Sequence, residues 1–292
     1  MPVNLGLIGG SPGNGHPYSW SAILNGYDPS IMSDCPFPII PEYLGKQTWP
    51  SARLPDCRIT HLFTDPSELA SHIAGACFIE NVVQRPSDML GQVDAVLLAR
   101  DDAENHLRYG EALIAAGLPT YIDKPLGYTI KQVEQLEAIE SFPGQIFSCS
   151  ALRFSNTVVL SDEEEQKVGD LLKVQASGPG EWRKYSIHLI DALFDRLKLS
   201  QAKLERLTGS GIVLKSPICP TIELNIDSGM TKRVFTFCYE GSKGVVEKRF
   251  DDTFESFRAA LAFFVAGDCR KVAGQFWSRY KDIAAIIEMR RS

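Results

Sequence analysis

The stretch LGLIGGSPGNGHPYSW, residues 5–20, indicates the fold because an apolar run passes directly into a glycine-rich turn. A buried strand that ends in glycines and leads into a helix is typical of the first unit of a sheet that binds a dinucleotide pyrophosphate. The GxGxxG spacing is absent, because it would require glycine at the positions of Ser11 and Asn14. Taken alone, the stretch is compatible with a pyrophosphate turn of altered spacing and with a flexible glycine loop.

Strands and helices alternate through the first half of the chain, and this order predicts a parallel, doubly wound sheet. Prolines interrupt residues 27–56 and predict only short regular structure there. The predicted strands cover residues 3–8, 58–63, 93–99, 120–122 and 145–152, and the predicted helices cover 18–25, 105–116 and 129–141.

From about Arg153 the pattern changes to consecutive short strands followed by two amphipathic helices, which favours an antiparallel or mixed sheet. We therefore predict an α/β protein with an N-terminal Rossmann domain over residues 1–152. A C-terminal α+β domain with an open, mostly antiparallel sheet is predicted over residues 153–292. Its predicted strands cover 173–177, 212–215, 221–226, 233–239 and 244–250, and its predicted helices cover 255–266 and 276–289.

The composition argues against several classes of function. A net charge of −6 argues against a general affinity for nucleic acid or anionic membranes. The seven cysteines are scattered without zinc-site spacing, so we expect free, mostly buried thiols and no metal site. The N-terminus lacks a signal-peptide pattern, and no apolar run approaches the roughly 20 residues that span a bilayer. We expect a soluble, cytoplasmic protein.

Two segments place charged side chains where predicted parallel strands end, at the edge where open α/β sheets bind ligands. They read LLARDDAENH, residues 97–106, and TYIDKPLG, residues 120–127. Pro125 restricts Lys124 to extended backbone and so directs it away from the following helix. The alternative interpretation is a solvated lysine in a turn.

A third segment, GPGEWRKYSIHLIDALF at residues 178–194, predicts a helix with an apolar stripe. His188 and Asp191 lie one turn apart on this helix. One interpretation is a helix whose polar face meets solvent. A dense group of aromatic and basic side chains favours a pocket instead, and its members are Trp182, Arg183, Lys184, Tyr185 and His188.

Together these segments resemble the Gfo/Idh/MocA oxidoreductases. The matching stretches GLIGG…GH, VDAVLLA…ENH, GLPTYIDKPLG, RF and YSIHLID follow the order of that family along the chain. The resemblance implies NAD(P)-dependent hydride transfer to or from a hydroxyl or carbonyl carbon of a sugar or sugar derivative. It implies Lys124 as the general acid/base and His188 as its partner on the same oxygen. Tyr185 and Lys184 are further catalytic candidates.

The resemblance also implies binding residues. The expected cofactor contacts are Gly9, Gly10, Ser11, Gly13, Asn14, Gly15, Arg100, Asp101, His106, Asp123 and Lys124. The expected substrate contacts are Lys124, Arg153, Trp182, Arg183, Lys184, Tyr185, His188 and Asp191. The substrate is expected to be a small carbohydrate, and the C-terminal sheet is expected to join copies of the chain into a homodimer or homotetramer.

The cofactor is expected to be NAD or NADP. An acidic residue about 20 positions after the glycine turn favours NAD, because it binds the ribose hydroxyl that carries the phosphate in NADP. Asp34 and Glu42 are the candidates for this residue, and on that basis NAD is favoured.

Three departures from the family pattern leave alternatives open. The glycine turn is irregular, Arg100-Asp101-Asp102 replaces an apolar or small polar cofactor contact, and Lys184 stands where the family has an aspartate. Lys184 with Arg183 suits an anionic or nucleotide-linked substrate, and Tyr185 is an alternative proton donor. Two further alternatives are a catalytically inactive dinucleotide-binding sensor or partner subunit, and an NAD-dependent glycosidase or lyase.

Overall fold

The computed structural model describes residues 2–230 and 234–290, and these form two compact units. The first unit comprises the chain up to Leu126 together with Glu134–Ser148 and Phe257–Phe276. The second comprises Gly127–Val133, Cys149–Ser256 and the chain from Trp277 onward. The boundary between a cofactor domain and a substrate domain at residues 152 and 153 stays a prediction.

A parallel sheet forms the centre of the first unit. Its strands are β1 (Val3–Gly9), β2 (Cys57–Thr64), β3 (Asn81–Val82), β4 (Ala95–Leu98), β5 (Thr120–Ile122) and β6 (Ile146–Phe147). The six strands lie in the order β3-β2-β1-β4-β5-β6, and all their pairings are parallel. Leu5, Leu7 and Ile8 of the central strand are fully buried, as a strand covered on both faces requires. The predicted Rossmann sheet is confirmed.

The register of this sheet brings the ends of its central strands to one edge. Gly9 pairs with Thr64, and Ile8 pairs with Leu98. Leu98 in turn pairs with Ile122. The residues that follow β1, β2, β4 and β5 therefore lie along the carboxyl edge, where doubly wound sheets bind ligands.

The helices of the chain lie largely where the sequence predicts them. The proline-rich stretch contains only two short helices, as expected, and the last helix begins several residues before the predicted position. The helices are α1 (His16–Asn25), α2 (Pro29–Met32), α3 (Ile39–Leu44), α4 (Ala70–Ala76), α5 (His106–Ala115), α6 (Ile130–Glu137), α7 (Asp162–Val168), α8 (Trp182–Leu193), α9 (Thr253–Val265) and α10 (Cys269–Glu288).

The predicted strand over residues 145–152 is wrong in its length. Only the two residues of β6 pair with the sheet, and a short 3₁₀ helix, Ala151–Phe154, follows. The side chain of Ser150 accepts a hydrogen bond from the backbone N–H of Leu152 and so caps this helix. Local bonds of this kind compete with strand pairing, which is why an apolar run alone overestimates the strand.

A mixed sheet forms the centre of the second unit. Its strands are β7 (Leu171–Pro179), β8 (Lys203–Leu207), β9 (Gly211–Ser216), β10 (Cys219–Asp227), β11 (Thr236–Gly241) and β12 (Val245–Arg249). They lie in the order β12-β11-β7-β10-β9-β8, in which only the β7–β10 pairing is parallel. The predicted open, mostly antiparallel sheet is confirmed.

Two strands of this sheet differ from the prediction. β8 was not predicted, because all five of its residues are exposed at the edge of the sheet and no apolar face marks it. The strand predicted over residues 233–239 begins at Thr236, and residue 233 lies outside the described residues.

The core of the second unit lies on one face of its sheet. Val174, Ala176, Ile222 and Leu224 are buried beneath α8, which contacts both β7 and β10. The opposite face carries polar side chains. On this face, for example, Nε2 of Gln175 on β7 donates to the carboxylate of Glu223 on the neighbouring strand β10 over 2.6 Å.

The cysteines all lie in the described ranges and form no disulfide. Six are buried and Cys238 is half-buried, so the prediction of free, mostly buried thiols is confirmed. Within residues 2–230 and 234–290, no helix combines the length and the apolar character that crossing a membrane requires.

Candidate functional site

The glycine turn between β1 and α1 depends on glycine at two positions. Gly10 has φ = 106°, and a Cβ atom there would lie 2.5 Å from the carbonyl oxygen of Asp65. Gly13 has φ = 76°, and apart from its chain neighbours no atom of the described residues lies within 4 Å of where its Cβ would be. Residues with side chains rarely adopt either conformation. Gly10 therefore permits close packing on the end of β2, whereas Gly13 borders open space.

The turn before α1 presents two backbone donors. Gly9 ends β1, and Gly15 is the N-cap residue of the ten-residue α1, where it supplies no capping oxygen. Among residues 2–230 and 234–290, the backbone N–H groups of Gly13 and Gly15 donate to no acceptor. The N–H of His16 donates to Oδ1 of Asn14, and Pro17 has no N–H, so the orphan donors lie just before the helix. Orphan N–H groups at this place favour an anion, so this part of the turn fits a pyrophosphate.

Ser11 connects the turn to the end of β4. Its Oγ donates to Oδ1 of Asp101 over 2.8 Å and accepts from the backbone N–H of Asp101 over 3.2 Å. Oδ2 of Asp101 lies 3.7 Å from Nζ of Lys124, and the two side chains are only 4% and 6% exposed. The ammonium group of Lys124 is therefore held by a carboxylate that the glycine turn itself positions.

Asn14 and His16 connect the turn to the end of β5. Oδ2 of Asp123 accepts from Asn14 Nδ2 over 2.9 Å and lies 2.5 Å from His16 Nδ1. Oδ1 of Asp123 accepts from the backbone N–H of Lys124 over 2.7 Å. Burial favours a raised pKa for Asp123, but the charges of His16 and Lys124 and the bonds from His16 and Asn14 hold that pKa well below its usual range. Asp123 is therefore a buried carboxylate that fixes the backbone of Lys124.

Arg100 follows β4 and supports the backbone of the turn. Its Nη1 donates to the carbonyl oxygens of Gly9 and Asp65 over 3.0 and 2.7 Å. Its Nε and Nη2 donate to the carboxylate of Asp102 over 3.0 and 2.7 Å. Burial favours a raised pKa for Asp102, but the hydrogen bonds and charge of Arg100 lower that pKa. The donors of Arg100 are thus directed to protein groups that surround the turn.

His106 is buried at the start of α5. Its Nε2 lies 2.7 Å from the carbonyl oxygen of Arg100, and its Nδ1 lies 3.1 Å from that of Leu126. The ring therefore joins the loop that follows β4 to the loop that follows β5.

Asp65 is a candidate that sequence reasoning missed. It follows β2 directly, at the position where an acidic side chain contacts the ribose in NAD-binding folds. Its carboxylate is 45% exposed, accepts from the hydroxyl of Tyr109 and lies 3.8 Å from Nη2 of Arg108.

The structure places neither Asp34 nor Glu42 at the end of β2. Asp34 follows α2, and Glu42 lies on α3 with its carboxylate 2.9 Å from Lys46. Because α2 and α3 lengthen the connection from β1 to β2, a count of about 20 residues from the glycine turn ends inside that connection. The signal for the correct residue was the sequence Thr64-Asp65-Pro66 directly after a predicted strand.

In the second unit, α8 carries the residues of the third sequence segment. Trp182 Nε1 donates to the carbonyl oxygen of Ile287 over 2.9 Å, so this side chain anchors the helix. The guanidinium of Arg183 lies 4.5 Å from the centre of the Tyr128 ring. Lys184 and Tyr185 follow, both half-buried, in the first turn of the helix. The predicted helix is confirmed.

A buried polar cluster surrounds His188 on the same helix. Oγ of Ser150 lies 2.8 Å from Nδ1 of His188, and the backbone N–H of Ser150 donates to Oδ2 of Asp191 over 2.8 Å. Arg279 Nε and Nη2 donate to Oδ1 of Asp191 over 3.1 and 2.7 Å. Both oxygens of Asp191 are therefore bound by protein donors, which connect α8 to Ser150 and to α10.

The predicted residues thus form two groups, one in each unit. The group in the first unit comprises Gly9, Gly10, Ser11, Gly13, Asn14, Gly15, Arg100, Asp101, His106, Asp123 and Lys124. The group in the second unit comprises Arg153, which lies in the 3₁₀ helix after Ser150, and Trp182, Arg183, Lys184, Tyr185, His188 and Asp191. Sequence reasoning did not find Ser150 and Arg279, because their partners on α8 are distant in the sequence.

Among the described residues, no group of three or more His, Cys, Asp or Glu side chains is arranged to hold a metal ion. The carboxylates that follow β4 and β5 are each bound by protein groups. Asp101 pairs with Lys124, Asp102 pairs with Arg100, and Asp123 accepts from Asn14 and from the backbone of Lys124. The orphan amides of the turn are not used by these carboxylates, which fits a dinucleotide.

Solved oxidoreductases share this fold. A myo-inositol dehydrogenase from Lactobacillus casei, in complex with NAD(H) and myo-inositol, is 12% identical with a TM-score of 0.68, covering 99% of this chain and 93% of that chain. A mutant of KijD10, a 3-ketoreductase from Actinomadura kijaniata in complex with TDP-benzene and NADP, is 14% identical with a TM-score of 0.68, covering 99% and 96%.

An oxidoreductase from Agrobacterium radiobacter, in complex with NAD⁺, L-tartaric acid and magnesium, is 13% identical with a TM-score of 0.65, covering 99% of this chain and 95% of that chain. No protein-family model matches the chain, and no curated protein matches it significantly. At identities of 12–14%, the likeness to the three solved structures shows a shared fold.

Proposed function

We propose that this protein is an NAD(P)-dependent oxidoreductase of the Gfo/Idh/MocA type, which transfers a hydride to or from a hydroxyl or carbonyl carbon of a sugar or sugar derivative. The observation that carries the proposal is the buried Lys124, held at the end of β5 by Asp101 and by the backbone bond to Asp123. A lysine that is buried and paired beside a glycine turn is poorly explained as a solvated loop residue. The solved oxidoreductases of the same fold support this reaction class.

The first unit offers the groups that a nicotinamide dinucleotide needs. The amides of Gly13 and Gly15, just before α1, would hold the pyrophosphate. Asp65 would accept a hydrogen bond from the adenosine ribose. The bound nicotinamide supplies or accepts the hydride. NAD is favoured over NADP because the carboxylate of Asp65 would repel a ribose phosphate, although Arg108 lies 3.8 Å from that carboxylate.

Lys124 is the proposed general acid/base. Its Nζ would donate a proton to the substrate oxygen during reduction and accept it during oxidation. Asp101 holds Nζ from one side, and Ser11 holds Asp101, so the ammonium is preorganised. In this arrangement Ser11, Asn14, Arg100 and His106 support the turn and the adjoining loops. These four residues would therefore position the cofactor site.

The second unit carries the proposed substrate residues. His188 is buried, and it would bind the substrate through its ring. Arg183 and Lys184 at the start of α8 favour a substrate with a carboxylate, phosphate or nucleotide diphosphate group. Asp191 is proposed to position α8 rather than to touch substrate, because Ser150 and Arg279 occupy both of its oxygens.

The prediction of a homodimer or homotetramer through the second sheet is retained as a proposal. The face of this sheet opposite α8 is polar, and Leu204 and Leu207 at its edge are 41% and 55% exposed. Light scattering of the purified protein would measure the mass, and a monomer across the concentration range would contradict the proposal.

The function is tested first by identifying any dinucleotide that co-purifies with the protein, by absorbance and mass. Turnover is then measured with NAD or NADP on a panel of neutral and anionic sugars. Lys124→Met is expected to lower turnover by about 100-fold or more, the scale of general acid/base catalysis. Lys131→Met, which removes an exposed lysine on α6, is the matched control and is expected to keep wild-type turnover.

Three outcomes of this experiment would decide against the proposal. Equal turnover by Lys124→Met and the wild type would refute the role of Lys124. Binding of NAD(H) without turnover on any sugar would favour a sensor or partner subunit. Retention of NAD with no net oxidation or reduction would favour an NAD-dependent glycosidase or lyase.

A further inference from the structure

Ser150 is bound to α8 by both its backbone and its side chain. Its N–H donates to Oδ2 of Asp191 over 2.8 Å. Its Oγ lies 2.8 Å from Nδ1 of His188, which precedes Asp191 by one turn of α8. Both serine and histidine are buried, at 0% and 9% exposure. We propose that Ser150 is a positioning residue that holds His188 neutral with its proton on Nε2. The role of His188 toward the substrate rests on the proposed function.

The hydrogen-bond inventory of Ser150 determines the direction of its bond to His188. A hydroxyl has one hydrogen to donate and two lone pairs that accept. One lone pair of Ser150 accepts from the backbone N–H of Leu152 over 3.2 Å. Among residues 2–230 and 234–290, Nδ1 of His188 is the only acceptor within reach of the hydroxyl hydrogen. The hydroxyl therefore donates, and Nδ1 accepts.

The opposite direction is disfavoured. If Nδ1 carried the proton and donated to Oγ, both lone pairs of Ser150 would be occupied and its own O–H would lack an acceptor. A buried hydroxyl without an acceptor is destabilising, because no bond inside the protein replaces the one it makes to water in the unfolded chain. The same argument disfavours a doubly protonated His188, because the cation also has a proton on Nδ1.

The surroundings keep the ring in this orientation. The ring of Phe235 lies 4.9 Å from the ring of His188, and that of Tyr185 lies 5.9 Å away, measured between centroids. Arg279 binds both the carboxylate and the carbonyl oxygen of Asp191, so the helix face that carries His188 and Asp191 is fixed against α10. These contacts define the position of the ring, and Ser150 then determines which ring nitrogen carries the proton.

The consequence concerns the substrate. A neutral imidazole with its proton on Nε2 donates a hydrogen bond at that atom and does not accept one. The substrate group that binds His188 is then a hydrogen-bond acceptor, such as a carbonyl, carboxylate or hydroxyl oxygen. His188 is therefore a donor that orients or polarises this oxygen, and the proton transfer is left to another residue.

The test is nuclear magnetic resonance of the nitrogen-labelled full chain. Long-range proton–nitrogen correlations distinguish protonated from unprotonated ring nitrogens, and the chain has only five histidines. His188 is identified by the signals that disappear in His188→Gln. The expected wild-type result at neutral pH is a protonated Nε2 and an unprotonated, hydrogen-bonded Nδ1. A protonated Nδ1 in the wild type would overturn the proposal, with no variant required.

Variants then separate positioning from general packing. Ser150→Ala is expected to shift the Nδ1 signal to that of a nitrogen without a hydrogen bond, and to lower kcat/KM about five- to tenfold, the scale of one hydrogen bond. Ser150→Thr keeps a hydroxyl and is expected to restore the wild-type signals. Ser186→Ala is the matched control, because the buried hydroxyl of Ser186 has no partner among the described residues.

The outcomes distinguish this proposal from the proposed function. The expected tautomer in a protein without turnover would support the role of Ser150 and contradict the oxidoreductase. Turnover in a protein whose His188 carries its proton on Nδ1 would do the reverse. Unchanged His188 signals in Ser150→Ala would contradict the positioning role.

Discussion

Asp123→Asn replaces the buried carboxylate that joins the glycine turn to Lys124 by a neutral amide of similar shape. In the wild type this carboxylate accepts from Asn14 Nδ2 over 2.9 Å and from the backbone of Lys124 over 2.7 Å, and it lies 2.5 Å from His16 Nδ1. An asparagine retains one oxygen, so an acceptor remains for the backbone of Lys124. Its NH₂ group, however, faces the other two donors.

The size of the effect follows from these contacts. A hydrogen bond to a charged partner contributes about 1.5–3 kcal/mol, and two such bonds are weakened. The neutral amide also relieves the unfavourable burial of a charge, which offsets part of the loss. We expect the free energy of unfolding to fall by about 3 kcal/mol.

Urea titration at neutral pH measures this loss, with Asp94→Asn as the matched control. Asp94 lies in the same unit and accepts one hydrogen bond from the backbone of Asn4 over 2.8 Å, but it is exposed. Its substitution is expected to change stability by no more than about 0.5 kcal/mol. Equal losses in the two variants would refute the view that Asp123 is a buried, paired carboxylate.

The same variant predicts a pH dependence. The pKa of Asp123 is depressed in the folded protein, so its contribution is fully present above the unfolded pKa of about 3.9. That contribution is lost as the pH falls from there through the folded pKa. The stability difference between the wild type and Asp123→Asn should therefore shrink as the pH falls below about pH 4. A difference that grows in acid would contradict the depressed pKa.

Two further substitutions test the structure at separate places. Arg279→Ala leaves the buried carboxylate of Asp191 without its ion-pair partner and should lower the free energy of unfolding, measured in urea, by about 3–5 kcal/mol. The control is Arg206→Ala, at a side chain that is 67% exposed, which should change this free energy by less than about 0.5 kcal/mol. Similar losses in the two variants would show that Arg279 does not hold α8. Asp65→Ala should weaken NAD binding, measured by calorimetry, about tenfold without weakening NADP binding. The control is Glu68→Gln, at an exposed neighbouring residue, which should bind both cofactors as the wild type does. An equal loss of affinity for both cofactors would show that Asp65 does not bind the ribose.

Much of the fold was predictable because it depends on local patterns. The apolar run before the glycine turn predicts the buried central strand β1, and the apolar stripe between Ile187 and Phe194 predicts α8. In both cases the pattern of apolar residues within a single element predicts its structure and which of its faces are buried. β8 was missed because it is a fully exposed edge strand that pairs through its backbone, and its side chains show no apolar face.

The candidate site was only partly predictable. The segments that carry Lys124 and His188 stand out because unusual residues follow a strand or occupy one helix face. Asp65 did not stand out, because the inserted α2 and α3 change the distance along the chain at which β2 ends. Counting from the glycine turn fails when the connection between two strands varies in length.

Local sequence patterns predict the strand–turn–helix start, the parallel sheet and the residues that end its strands. They do not predict which of these side chains bind one another, because those contacts form only in the folded chain. Ser11 pairs with Asp101 and Asn14 pairs with Asp123, and these partners are 90 and 109 residues apart in sequence. Ser150 reaches His188 across 38 residues, and Arg279 reaches Asp191 across 88. The physical reason is that a hydrogen bond depends on distances of about 3 Å between atoms, and such distances arise only when separate elements pack.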